Sequence, residues 1–171
     1  MGVITDDNNN SIYDLPPHLR PALGYKNDVT LPVRRTGVLP FLRQDNDIYV
    51  LLQCKTCNGL FEDFGGGIDF SDTDLVQAAA REAHEESNGI LNEKEVADEI
   101  NEDFCEFYVR GKFCLFFLEI TAIHPSVFGE VETHDKIPRT CHWVRLDTVR
   151  KYNLNPRLRY SNFDQTLSVL I

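Results

Sequence analysis

The sequence predicts an α/β (α+β) fold, a sandwich built on a mixed β-sheet. Short apolar strand patterns recur in both halves of the chain, and helical patterns are set between them. The length of 171 residues, with 42% hydrophobic and 26% charged residues, suits one domain with a real core.

Taken in order, the first 27 residues read as a mobile N-terminal extension, polar at Asn8–Asn10 and extended at Pro16, Pro17 and Pro21. Residues 28–171 form the domain. VRRTGVLPFLR (Val33–Arg43) and IYVLLQCK (Ile48–Lys55) read as a hairpin with a somewhat long turn at Asp45–Asp47. Thr56–Phe64 reads as a loop leading to the glycines at 65–67. From Asp74 to Ser87 the period is helical, with Leu75, Val76, Ala79, Ala80 and Ala83 as the apolar stripe. Asp72 or Thr73 can cap its start, and Gly89 suits its C′ end.

Asn92–Phe104 reads as an exposed acidic helix. Cys105–Ile123 reads as a strand pair turned at Arg110–Lys112, and FCLFFLEI is apolar enough to be central. His124–Thr140 reads as a long loop of the kind that often carries function. Cys141–Tyr152 reads as a strand and a short helix, and Asn162–Ile171 as a closing helix.

The formal net charge is −10, which weighs against a broad phosphate-tracking surface for nucleic acid. No apolar run reaches the roughly 20 residues needed to span a bilayer, and the N-terminus lacks a signal-peptide pattern. The expectation is a cytoplasmic protein without a membrane partner. The odd count of five cysteines favours free thiols. The CxxC at Cys54–Cys57 has only Cys141–His142 to complete a zinc site, and reads more simply as a strand running into a turn.

The stretch that carries chemistry is GGGIDFSDTDLVQAAAREAHEESNG, Gly65–Gly89. Glu82 lies three residues from Glu85 and four from Glu86, so three carboxylates crowd one helix side. Like charges at that spacing cost about 0.2–0.5 kcal/mol per pair, and by themselves read as a solvated acidic face. A hard cation such as Mg²⁺ or Mn²⁺ reverses the sign, since it takes oxygen ligands. Arg81 can hold one carboxylate in place, and the glycines allow a ligand close to the backbone. Together these are the parts needed to cleave a charged phosphate chain.

Gly65–Gly89 resembles the Nudix box, G-x5-E-x7-R-E-U-x-E-E-x-G-U, with U aliphatic. Its R-E-U-x-E-E core stands here as Arg81, Glu82, Ala83, His84, Glu85 and Glu86. Two departures are visible. Counting back from Arg81 places Thr73 at the pattern's first glutamate, whereas counting forward from Gly66 places Asp72 there, the favoured choice. The EESNGI ending is one residue longer than the pattern.

The resemblance implies a three-layer α/β/α sandwich and divalent-metal-dependent hydrolysis of a diphosphate linkage in a nucleoside diphosphate derivative. It implies Glu82, Glu85, Glu86 and Gly66 as the Mg²⁺ or Mn²⁺ site, with Glu85, Glu86 and Arg81 catalytic. Glu132 is the chosen general base, then Glu130, with His134 and Asp135 in the same segment. His84 reads as surface. Arg34, Arg35, Gln53 and Lys55 are candidates to meet phosphates, and Phe61, Phe64 and Trp143 to stack on a base. Of these, Arg35, Lys55, Phe64 and Gly66 are the chosen substrate contacts. The expected partner is a small nucleotide. Capped RNA, as in 5′-cap removal, and a non-catalytic sensor module are the alternatives. Relatives are often homodimers, which the resemblance extends to this chain as an expectation.

Overall fold

The computed structural model describes residues 33–100, 104–108 and 112–169. The N-terminal extension, residues 101–103 of the expected acidic helix, the first two residues of the expected Arg110–Lys112 turn and the last two of the expected closing helix lie outside them.

Among the described residues, eight strands form one sheet. β1 (Arg35–Gln44) and β2 (Asp47–Lys55) make the first hairpin. Its turn is the two residues Asp45 and Asn46, both with positive φ (52° and 65°), so it is tighter than the sequence pattern suggested. Asp and Asn tolerate that conformation better than most residues, which is why a type I′-like turn forms there. The β1–β2 pairing runs only from Gln44↔Asp47 to Phe41↔Val50. Pro40 follows, with no N–H to give.

Beyond that point the two strands part. β3 (Phe61–Glu62) joins β2, and β4 (Phe64–Gly67) joins β1 from Arg35↔Gly67 to Val38↔Phe64. The glycine triplet is thus strand, not the end of a loop. A Cβ on Gly65 would overlap the Gly37 Cα and the Thr36 carbonyl, so glycine is required where these backbones meet.

β5 (Cys105–Tyr108), β6 (Phe113–Glu119), β7 (Val131–Glu132) and β8 (Ile137–Arg145) complete the order β5-β6-β1-β2-β8-β7. β1 and β6 are parallel, and the other pairs are antiparallel, so the sheet is mixed. The segment expected to be a long loop is a 3₁₀ turn at Pro125–Phe128 followed by the β7–β8 hairpin.

Each face of the sheet is covered. On one, α1 (Leu75–Glu86) and α2 (Glu93–Glu99) bury Leu75, Ala79, Ala80, Ala83 and Val96 against Val38, Leu51 and Phe116. The alanines bring α1 close to β1 and β4. On the other, a 3₁₀ segment (Leu146–Lys151), α3 (Pro156–Arg159) and α4 (Phe163–Ser168) bury Val149, Leu158, Phe163 and Leu167 against Leu39, Val50, Leu52 and Phe117. A Leu or Phe fully buried this way contributes about 1.5–3 kcal/mol. This is the expected three-layer arrangement. No helix among the described residues is long and apolar enough to cross a membrane.

Both ends of α1 differ from the sequence expectation. The N-cap is Asp74, whose carboxylate accepts from Gln77 N at 2.8 Å, and not Asp72 or Thr73. At the other end the C-cap is Ser87, and Asn88 takes the left-handed C′ position with φ 59°. Asn88 N donates to Glu85 O (3.2 Å) and Gly89 N to His84 O (2.8 Å), the two bonds of a Schellman ending. Gly89 is therefore one place further out than the pattern suggested. α2 is also shorter than the acidic stretch that encodes it.

Candidate active site

The parting of β1 from β2 opens a pocket of about 410 Å³ between the glycine strand, α1 and the β7–β8 turn. Arg81 organises its helix wall. Its Nε donates to Asp72 Oδ1 (2.9 Å) and its Nη2 to Asp72 Oδ2 (3.0 Å) and Gly67 O (3.0 Å). Its Nη1 reaches Glu82 Oε1 (2.9 Å) and Glu85 Oε2 (3.3 Å). The hydrogen bonds it donates to Asp72, with Glu82 nearby, hold the guanidinium well above its ordinary pKa despite burial. Asp72 is buried, whereas Thr73 is exposed and bonds to Gln77. Asp72, not Thr73, is the acid that faces Arg81.

Glu86 sits deepest. Its Oε2 accepts from Gly65 N (2.7 Å) and Gln53 Nε2 (2.6 Å), and its Oε1 lies 3.2 Å from Lys55 Nζ. Burial pushes its carboxyl up to about 7; Asp63 adds to the rise and Lys55 opposes it. Burial raises Glu82 as well, against the pull of Arg81. Glu82 also packs on Gly66, where a Cβ would overlap its carboxylate. Lys55 is shared with Glu62, 2.8 Å away.

The family model described as NUDIX domain matches residues 31–163. The chain belongs to the NUDIX family. No curated protein matches it in sequence. Among solved structures it is similar to a C. elegans Ap4A hydrolase in a binary complex, at 19% identity and TM-score 0.51. That match covers 81% of this chain and 96% of the other. A Nudix hydrolase from M. smegmatis, RenU, is 18% identical with TM-score 0.50, over 99% and 94% of the two chains. The NUDIX domain of Shewanella oneidensis NrtR, complexed with ADP ribose, is 15% identical with TM-score 0.55, over 91% and 99%. These likenesses establish a shared fold. By family, the chain is a NUDIX-type pyrophosphohydrolase.

The expected site residues fall into three groups in this NUDIX fold. Arg35, Lys55, Gly66, Arg81, Glu82, Glu85, Glu86, Glu132, His134 and Asp135 all line the pocket. Gln53 lies beneath it. Phe64 is a correction. Its side chain is 0% exposed, packed 5.7 Å from Phe128 and lying under Arg139, so it belongs to the core and presents no face to the pocket. Trp143 donates to Ile123 O (2.8 Å) beside the α1 core, and Phe61 packs on Tyr152. His84 is half-buried, its Nδ1 3.1 Å from Leu91 O, not at the surface.

Glu132 is 2% exposed. One of its oxygens accepts from His134 N (2.5 Å) and the other from Asp135 N (2.7 Å), so it shapes its own turn. His134 Nδ1 lies 3.8 Å from Glu85 Oε2. Glu130 is exposed and off the pocket wall.

Sequence reasoning missed two buried arginines under the site. Arg139 Nη1 donates to Gln53 Oε1 (2.8 Å) and to Glu86 O, and its Nη2 to Phe128 O (3.1 Å). It sits on the carbonyl end of α1, where a cation is favoured. Arg157, from α3, donates through Nε to Asp63 Oδ1 (2.9 Å) and through Nη2 to Gly65 O (3.3 Å). Asp63 is fully buried, and burial raises its carboxyl against the pull of Arg157. The alternation in IPRTCHWV is the signal that could have placed Arg139 on a strand.

A divalent cation fits these donors in kind. Among the described residues no three acidic, His or Cys side chains converge as a ready-made cage. Mg²⁺ does not need one, since it binds through one or two carboxylates, waters and substrate phosphates. Glu82 and Glu85 offer such oxygens on one helix side. The space kept clear by Gly66 lets the Glu82 carboxylate lie against the glycine strand.

Proposed function

We propose that this chain hydrolyses the diphosphate linkage of a small nucleoside diphosphate derivative with the help of Mg²⁺ or Mn²⁺. The observation that carries the reading is the convergence of Glu82, Glu85, Glu86 and Arg81 with Arg35 and Lys55 on one pocket of about 410 Å³. That volume lies within the range of small-ligand sites, about 300–1,000 Å³. It suits a nucleotide better than a polymer, and the net charge of −10 points the same way.

In this reading Glu82, Glu85 and Glu86 hold the cation, with Gly66 leaving room for Glu82. The cation would neutralise diphosphate charge and lower the pKa of a bound water. Arg81, fixed by Asp72, keeps Glu82 and Glu85 from turning away. Arg35 and Lys55 meet the phosphates. Glu132 takes the proton of the attacking water: each of its oxygens holds one turn amide, and a carboxylate oxygen has a second lone pair to offer.

The test is a hydrolysis panel with each metal: nucleotide sugars, dinucleoside polyphosphates, ADP-ribose, dinucleotide cofactors and capped RNA. Wild type is compared with Glu85→Gln, Glu86→Gln and Glu132→Gln. Metal-dependent cleavage of a small nucleotide, lowered on the order of 100-fold or more in each variant, is the expected result. Cleavage of capped RNA alone would replace the substrate class. Tight ligand binding without turnover, surviving in the variants, would overturn the hydrolase in favour of a sensor.

A further inference from the structure

We propose that Asn88 is a positioning residue for hydrolysis, holding the β7–β8 turn against the end of the glutamate helix. The proposal rests on the hydrolase reading above and adds a residue to it. Asn88 occupies the left-handed C′ position that ends α1. Glycine is the usual residue there, because it alone avoids a Cβ clash, while asparagine is tolerated. The Asn88 side chain is not idle. Its Nδ2 donates to Phe128 O (2.8 Å) and Val131 O (2.9 Å). Its Oδ1 accepts from Thr133 N (2.8 Å) and Thr133 Oγ1 (2.9 Å).

Every partner lies more than 39 residues further along the chain, in the segment that leads to Glu132 and His134. The partners also fix the amide's orientation, since two carbonyls demand the donor and a backbone N–H demands the acceptor. Gly129, between two of these partners, has φ 73°, a conformation that favours glycine. One side chain thus closes four bonds between the residue that ends α1 and the turn. The turn in turn sets His134 beside Glu85 and holds Glu132 and Asp135 on the pocket wall. A glycine at 88 would end the helix equally well and leave the turn untied. What Asn88 supplies is therefore position for the catalytic wall, not helix termination.

The experiment compares wild type with Asn88→Gly and Thr133→Ala. Hydrogen exchange is read at the Thr133, His134 and Asp135 amides, and steady-state kinetics on the substrate panel above. Asn88→Gly keeps the left-handed ending, so the α1 amides should stay protected and the melting temperature should fall by no more than a few degrees. Protection at Thr133 should drop at least about tenfold, as expected when hydrogen bonds of this kind are removed. kcat should drop about tenfold with KM within about threefold, the pattern of a lost transition-state arrangement. Thr133→Ala, which removes only the hydroxyl's share, should fall between the two.

Unchanged exchange at Thr133 in Asn88→Gly would overturn the tether. Lost protection with unchanged kcat would overturn the positioning role. A wild type that cleaves nothing on the panel, while the exchange difference persists, would instead sink the hydrolase reading and with it the catalytic meaning of the tether.

Discussion

Arg81 grips Asp72 with two near-parallel hydrogen bonds, Nε to Oδ1 at 2.9 Å and Nη2 to Oδ2 at 3.0 Å. This pair ties the loop after the glycine strand to the middle of α1. Removing Asp72 takes away two charge-assisted hydrogen bonds from Arg81 and leaves those to Glu82, Glu85 and Gly67 O. Asp72→Ala should cost about 3 kcal/mol in urea unfolding. Thr73→Ala, one residue along and exposed, should change stability by no more than about 0.5 kcal/mol.

Two glycines of the glycine strand have different neighbours, backbone at Gly65 and the Glu82 side chain at Gly66. Gly65→Ala would drive a Cβ into the Gly37 and Thr36 backbone, which has nowhere to go, and should prevent stable folding. Gly66→Ala would meet only the end of the flexible Glu82 side chain. It should fold with near-normal stability yet bind Mn²⁺ at least about tenfold more weakly. Circular dichroism melts and metal titration followed by electron paramagnetic resonance would show the split.

Much of the helix wall was legible because its logic is local. Arg81 to Glu86 lie within six residues, and helical spacing alone puts their carboxylates together. The glycine strand was not legible, since residues without side chains show no alternation. β3 and β7 are only two residues each, too short for a pattern. Spacing could not choose between Asp72 and Thr73, because a loop does not fix its register. Arg139 and Arg157 were invisible for a different reason. Their partners Gln53 and Asp63 stand 86 and 94 residues away, and only the folded sheet brings them close. Phe64 was misread because an aromatic beside a glycine loop suggests stacking, whereas strand alternation turns it inward.

The raised carboxyl of Glu86 predicts how stability varies with pH. Its folded pKa, about 7, lies above its ordinary value, so the folded state holds the proton more tightly than the unfolded chain. That contribution is fully present below about pH 4.5 and is lost as pH rises through 7, a span worth on the order of 3 kcal/mol. Glu82 and Asp63 shift the same way. Metal-free protein should therefore unfold at lower urea at pH 8 than at pH 5.5. Added Mg²⁺ should narrow the gap at pH 8, because a cation favours the charged carboxylates.

Arg139 is 1% exposed and joins three elements through Gln53, Glu86 O and Phe128 O. Arg139→Met keeps the bulk but leaves those acceptors dry. The expected loss is about 3 kcal/mol, seen in equilibrium unfolding, which follows from up to three stranded polar groups. Gln53→Leu made alone should lose less, and the double variant less than the sum, because the two share one network.

The arginine of α3 reaches beneath the glycine strand to Asp63 and the Gly65 carbonyl. A residue of the closing part of the fold thereby helps build the floor of a pocket whose walls come from residues 35–135. Such a floor has no separate give. It cannot be loosened to accept a new substrate without loosening the domain. Evolutionary or laboratory changes of specificity in this chain should accordingly accumulate in the rim, at residues 68–73 and 133–136, while the positions under the glycines stay frozen.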